Sequence, residues 1–285
     1  MMFKNILITG GSGSFGRACT WHLLRNNKAQ RICILSRGEH TQAAMRDEFQ
    51  NDERIRWFIG DVRDRTRLTR AMEGIDLVIH AAALKRIEVA EYCPIEAVKT
   101  NVVGAMNIIE AAQDADVARV VALSTDKACS PINAYGASKL LMEKMMLAAN
   151  NTVGEYGPIF AVTRYGNVAG SNGSVIPTWR EQIAKAGIIT VTDPNATRFW
   201  MTMSEAVALV LRTAETMLGG EFVVPELPAY RLGDLLEAMG TEGLECRIIG
   251  LQPGEKIHES MVEGKTSAQA RRMTVDELRQ ALKYV

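Results

Sequence analysis

The sequence predicts a doubly wound α/β fold, a parallel sheet covered by helices on both faces, with a smaller C-terminal domain. Three observations carry this expectation. Short apolar, β-branched runs alternate with helix-period segments through the first half of the chain. Those runs carry little charge, as strands buried on both faces must. A glycine-rich segment joins the first strand-like run to the first helix-like one, where such folds turn tightly.

Each element has its own local signal. Strand-like runs fall at 5–9, 31–36, 55–60, 77–80, 120–124 and 159–165, with helix-period stretches at 15–26, 41–50, 65–72, 95–113 and 134–150. After Tyr165 the pattern loosens. Residues 166–174 are rich in Gly, Asn and Ser and read as a loop. Shorter elements follow: helices at 178–186, 204–218 and 232–239, and strands at 188–192, 221–224 and 246–249. Thr274-Val275-Asp276-Glu277 is a capping-box pattern opening a last helix. The expected division is a nucleotide-binding domain over 1–165 that carries the catalytic residues, then a mainly substrate-binding domain over 166–285, some of whose segments return to the first sheet.

Composition narrows the class of function. Apolar residues make up 47% of the 285 and charged residues 23%, which fits a globular chain. Lys+Arg and Asp+Glu both number 33, so no global field draws the protein to nucleic acid or a membrane, and an anionic ligand needs a local site. The five cysteines (19, 33, 93, 129, 246) form no CxxC pair, and the four histidines lack ligand spacing, so neither a disulfide framework nor a metal site is expected. The chain opens on a strand-like run without a signal-peptide pattern, and no stretch is long enough to span a bilayer; a cytoplasmic protein is the expectation.

The segment Gly10-Gly11-Ser12-Gly13-Ser14-Phe15-Gly16 fits both G-x-x-G-x-x-G and G-x-G-x-x-G. Glycine suits a tight turn that lets the backbone approach a pyrophosphate, and the following helix supplies free N–H groups. A glycine loop alone is a weak signal; its place between strand and helix strengthens it. At the end of the second strand, where a carboxylate would bind a ribose 2′-hydroxyl, stand Ser36 and Arg37. These suit a 2′-phosphate, so NADP is expected, while Glu39 nearby leaves room for NAD. Asp61 and Val62 close the third strand, where a carboxylate suits the adenine amine. Ala81, Ala82 and Ala83 close the fourth, where small side chains let a cofactor pack.

Tyr135 and Lys139 are four apart at the start of a helix and share one face. The ammonium is expected to lower the phenol pKa, so that Tyr135 removes a proton from a hydroxyl while a nicotinamide takes the hydride. Thr125, Asp126 and Lys127 stand at the carboxyl end of the fifth strand. An Asp–Lys pair in such a loop is commonly a solvated surface pair; its position on the ligand edge makes an acid–base role the better reading.

These motifs, with Arg164-Tyr165-Gly166-Asn167-Val168, resemble those of extended short-chain dehydrogenases/reductases, which have a Rossmann fold. Leu123–Lys127, Thr197-Arg198-Phe199-Trp200 and Pro253-Gly254-Glu255-Lys256-Ile257-His258-Glu259 are most similar to inverting UDP-N-acetylglucosamine 4,6-dehydratases. The resemblance implies oxidation at C4, elimination of water across C5 and C6, and hydride return to C6, with Lys127 as base, Asp126 as acid and Thr125 beside the oxidised hydroxyl. Burial near another cation would depress the Lys127 pKa for that role. Lys85, Asn167, Arg198 and Lys256 are the implied contacts to a UDP-sugar, Lys85 also facing the cofactor, and a homo-oligomer is implied. Two departures stand out: Gln252 where the family has Arg, and a short linker at 263–273. A 4-epimerase or reductase of the same family is the alternative enzyme, and a non-catalytic NADP-binding module the alternative of another class.

Overall fold

The computed structural model describes residues 3–241 and 243–285. Seven parallel strands form the main sheet: β1 (Phe3–Thr9), β2 (Ala29–Ser36), β3 (Ile55–Ile59), β4 (Leu77–His80), β5 (Arg119–Thr125), β6 (Ile159–Tyr165) and β9 (Phe222–Val223). Their order is β3-β2-β1-β4-β5-β6-β9. The expected doubly wound sheet is therefore present, and the 221–224 run returns to it as an edge strand. Between them in sequence lie β7 (Ile188–Val191) and β8 (Thr197–Phe199). The helices in this part of the chain are α1 (Ser14–Arg25), α2 (Glu39–Glu48), α3 (Arg65–Met72), α4 (Ile87–Tyr92), α5 (Pro94–Ala97), α6 (Gly104–Asp114), α7 (Ala134–Ala149), α8 (Val175–Ala186) and α9 (Met203–Thr216).

Successive strand residues point to opposite faces, and both faces are buried. Ile6 and Ile8 pack with Leu23 of α1 and Val210 of α9, whereas Leu7 packs on the other side with Leu68 of α3 and Ile108 of α6. Val121 and Val120 of β5 divide in the same way. Burial of each such side chain contributes about 1.5–3 kcal/mol, which is why these strands read as continuous apolar runs.

The helix expected at 95–113 is broken. Pro94 opens α5, Val98–Val103 form a π-helical turn and α6 follows; α4 precedes them, unforeseen. Proline has no N–H to continue a helix but suits its first turn. The π turn carries Asn101, 1% exposed, whose Nδ2 donates to the Leu84 carbonyl and to Ser138 Oγ, while its Oδ1 accepts from Leu84 N. That amide ties the loop after β4 to α7.

The remaining elements are β10 (Ala229–Arg231), α10 (Leu232–Ala238), β11 (Glu245–Ile248), β12 (Ser260–Val262), β13 (Lys265–Thr266) and α11 (Val275–Ala281). Strand β8 pairs with β10, β7 with β11, and β12 with β13. A second core unites Trp179, Val191, Trp200, Tyr230, Leu235 and Leu278. The capping box at Thr274 is formed, its side chain accepting from Glu277 N and Glu277 returning the bond. No helix among the described residues is long and apolar enough to cross a membrane.

Candidate active site

At the carboxyl edge, β1 lies between β2 and β4, so the chain leaves it toward opposite sides and opens a crevice. A cleft of about 1360 Å³ runs from there past the ends of β5 and β6. Gly10, Ser12, Gly13, Ser14 and Phe15 line it; Gly16 packs instead against Gly11, where a Cβ would overlap the carbonyl. Gly10 has φ +64°, and a Cβ there would stand 2.8 Å from Ala82 Cα. A side chain is thus excluded both by backbone conformation and by space. Helix α1 has no side-chain cap and no acidic residue in its first turn. Its free N–H groups and partial positive charge face the cleft, which fits a pyrophosphate.

Ser36 and Arg37 line the cleft at the end of β2, and Ser12 Oγ donates to Ser36 Oγ at 3.0 Å. Arg37 is largely solvated and stands 3.9 Å from Asp61 Oδ2. Burial opposes the Asp61 charge, but the Arg63 bonds, with Arg37 beyond, hold its pKa below the usual carboxylate value. Val62, Ala81, Ala82 and Ala83 also line the cleft, so the residues expected at the strand ends meet there.

Thr125, Asp126, Lys127, Tyr135 and Lys139 line the same cleft, further along. Their convergence depends on the start of α7. Asn133 caps that helix, its Oδ1 accepting from Gly136 N at 2.7 Å. Gly136 lies so close to the Lys127 carbonyl that any Cβ would overlap it. The helix therefore abuts the Asp126–Ala128 turn and sets Tyr135 against Thr125 and Lys127.

The electrostatics differ from the sequence expectation in two ways. Burial raises the Tyr135 pKa, and the effects that oppose it are the Lys127 charge and a hydrogen bond with Thr125. Lys139 instead donates to the Leu123 carbonyl at 2.6 Å. Burial lowers the Lys139 pKa to about 8, with Glu143 opposing. The expected depression of Lys127 is also overturned. Burial and Arg198 disfavour its charge, but Asp126 and Glu259 outweigh them and raise its pKa. Its Nζ lies 3.1 Å from Asp126 Oδ1 and 3.3 Å from Glu259 Oε1. Thr125 Oγ1 donates to Asp126 Oδ1 at 2.9 Å.

Of the expected substrate contacts, Lys85 and Asn167 line the cleft. Lys85 Nζ donates to the Asn172 carbonyl at 2.7 Å, and Asn167 Oδ1 is buried without a partner. Arg198 and Lys256 are turned elsewhere. Arg198 donates to the carbonyls of Thr197 and Ile257, and Lys256 to that of Cys129. Phe199 packs with Ala229 and Met261, and Trp200 meets Tyr230 edge-on at 5.5 Å, so both serve packing. Gln252 lines the cleft.

Sequence reasoning assigned no role to Glu143, Asn101 or Glu259. Glu143 is one helical turn beyond Lys139 on the same face, a signal that was available. It accepts Ser124 Oγ at 2.5 Å and two Arg164 nitrogens at 2.8 and 2.5 Å, while Arg164 also donates to the Met261 carbonyl. Glu259 stood within a motif already singled out, but nothing local connected it to Lys127.

A glycine cradle at a switch point, continuous with a tyrosine–lysine helix, is the architecture of the short-chain dehydrogenase/reductase class. The chain belongs to the polysaccharide biosynthesis protein family, which matches residues 6–278. It is 48% identical over 265 residues to the inverting UDP-N-acetylglucosamine 4,6-dehydratase of Campylobacter jejuni subsp. jejuni serotype O:2, covering 93% of this chain and 79% of that one. It is 42% identical to a UDP-glucose 4-epimerase of Rickettsia akari, covering 94% and 80%. Among solved structures it is similar to Pen from Bacillus thuringiensis, with TM-score 0.96, 35% identity and coverage of 100% and 99%. A dTDP-glucose 4,6-dehydratase from Streptomyces venezuelae, with NAD bound, shares the fold at TM-score 0.83 and 22% identity, covering 98% and 96%. The sequence resemblance and the Rossmann-type fold are both borne out.

Proposed function

We propose that this protein is a nucleotide-sugar 4,6-dehydratase that acts on UDP-N-acetylglucosamine with inversion at C5. The observation that carries the reading is the Asp126–Lys127 ion pair, which lines the cleft beside Tyr135. Exchange of configuration at C4 requires oxidation and return at one carbon and has no use for a second acid–base pair. Elimination requires one, and this favours the dehydratase over the epimerase activity named for the Rickettsia relative.

A bound nicotinamide dinucleotide supplies the chemistry of hydride removal from C4 and its return at C6. Tyr135, once its own phenol proton has left to solvent, takes the C4 hydroxyl proton; burial opposes that phenolate, and the Lys127 charge and Thr125 offset part of the cost. A C4 ketone acidifies the C5 proton. Transfer of one proton across 3.1 Å converts the resting ion pair into a Lys127 amine and an Asp126 carboxylic acid. The amine then takes the C5 proton, and the acid protonates the departing C6 hydroxyl as water. That step restores the ammonium and carboxylate; inversion then requires the proton returned to C5 to arrive on the face opposite Lys127.

Ser36 and Arg37 favour NADP over NAD, with the guanidinium free to meet a 2′-phosphate. Lys85 and Asn167 are assigned to the sugar or diphosphate, and 166–285 to most of the substrate-binding part. The test is incubation of purified protein with UDP-N-acetylglucosamine, followed by mass spectrometry and NMR. Loss of one water with a 4-keto-6-deoxy product inverted at C5 is expected. Unchanged substrate from cofactor-loaded protein would refute the reading.

A further inference from the structure

Lys127 has a second carboxylate partner, supplied by a distant segment of the chain. Glu259 is 2% exposed, precedes β12, and reaches Lys127 Nζ at 3.3 Å. The segment is held firmly. Glu259 N donates to Ser267 Oγ, Ser267 N donates to the Glu259 carbonyl, and Arg164 fixes the carbonyl of Met261 two residues on. One oxygen of each carboxylate, Asp126 Oδ2 and Glu259 Oε2, is buried without a hydrogen-bond partner. A buried carboxylate so poorly satisfied is costly unless a cation compensates it, and Lys127 is the cation within ion-pair distance of both.

We propose that Glu259 is a positioning residue that acts through Lys127, joining Asp126 to hold the amine as an ammonium in the resting site. Lys127 then becomes a base only by passing its proton to Asp126: an N–H bond breaks, an O–H bond forms, and total charge is unchanged. The groups facing Lys127 are Asp126 on its own turn, Glu259, Arg198 of β8, Tyr135 of α7 and Tyr230 of β10. Arg198 offsets one of the two carboxylates, leaving the cluster neutral with Lys127 charged. Removal of the Glu259 charge leaves Lys127 facing one carboxylate and one guanidinium, which favours the neutral amine. The catalytic consequence rests on the dehydratase reading; the charge state itself does not.

The experiment is competitive acetylation of the full-length protein with acetic anhydride between pH 7 and 10.5, quantified at Lys127 by peptide mass spectrometry. Only neutral amine reacts. In the unsubstituted protein the Lys127 rate is expected to climb about tenfold per pH unit throughout, without levelling near the ordinary lysine value of about 10.4. Glu259→Gln, nearly the same shape, should raise the rate at pH 8 at least tenfold, and Glu259→Asp should leave it near the original. A smaller rise in folded, cofactor-binding Glu259→Gln overturns the proposal. If that variant does not fold, levelling of the unsubstituted profile at or below the ordinary value does the same. Turnover of UDP-N-acetylglucosamine adds a second readout: in Glu259→Gln the descending limb of kcat against pH, where the Lys127–Asp126 pair loses its shared proton, should shift about one unit lower with KM retained. A purely structural role would depress kcat evenly across pH. Absence of turnover in the unsubstituted protein would refute the dehydratase reading and leave the acetylation result to decide the inference.

Discussion

Replacement of Arg164 by methionine tests the buried network beneath the active site. The Arg164 and Glu143 side chains are 9% and 3% exposed, and two guanidinium nitrogens reach the carboxylate. Methionine fills much of the arginine's volume but leaves Glu143 charged and buried with Ser124 as its remaining side-chain donor. Breaking one side of such a pair costs about 3–5 kcal/mol. At about 2.1 cal/mol/K per residue the unfolding entropy of 285 residues is roughly 600 cal/mol/K, so Tm should fall by about 5–8 °C. Scanning calorimetry reads this directly. The double variant Glu143→Met/Arg164→Met removes the stranded charge and should recover most of the loss, because an apolar pair of similar volume replaces a buried ion pair at little cost. The Met261 carbonyl lacks its donor in both variants, which leaves a residual of about 1 kcal/mol. A single-variant loss below about 1 kcal/mol, or a double variant no better than the single, would refute the reasoning.

Three further outcomes are expected. Lys127→Met should abolish loss of water from UDP-N-acetylglucosamine while NADP still binds, as followed by product NMR and cofactor fluorescence; undiminished turnover counts against the base role. Arg37→Ala removes one charge-assisted bond to a 2′-phosphate, worth about 1.5–3 kcal/mol, and should weaken NADP by roughly 10- to 150-fold with little effect on NAD. Equal effects on the two cofactors would sink the assignment. His80 is buried, its Nδ1 paired with Thr9 Oγ1 at 2.8 Å and its Nε2 without a partner. Burial, then the Lys139 charge, lowers its pKa to about 3. The unfolded chain, with histidine near its ordinary value, therefore binds the proton first as pH falls. Stability from neutral His80 is present above about pH 6.5 and is lost progressively toward pH 3. His80→Gln should flatten that part of the urea-midpoint profile between pH 7 and 4.5, and an unchanged slope would exclude the assignment.

The sheet was legible because each of its signals is local. The strand expected at 77–80 coincides with β4 and that at 159–165 with β6, and the others differ at their ends by a residue or two. The break at Pro94 was legible in principle from the proline itself; the π turn was not, since the bonds its Asn101 makes go to Leu84, a distant residue. In the candidate site, Tyr135 and Lys139 were readable from helical spacing and the glycine cradle from its place between strand and helix. For Arg198 and Lys256 the sequence shows a charge but not the backbone carbonyls that each meets in the fold.

The sequence by itself determined the parallel sheet, the glycine cradle at its switch point and the identity of the groups at the strand ends. All of these follow from backbone conformation, side-chain alternation and short spacings that no distant contact alters. Tertiary structure alone decided which charged groups meet. Glu259 reaches Lys127 from another part of the chain, and Arg164 crosses from β6 to pair with the buried Glu143. Coulomb energies in a buried site depend on distances of a few ångströms between residues far apart in sequence, and those distances exist only once the chain has closed on itself.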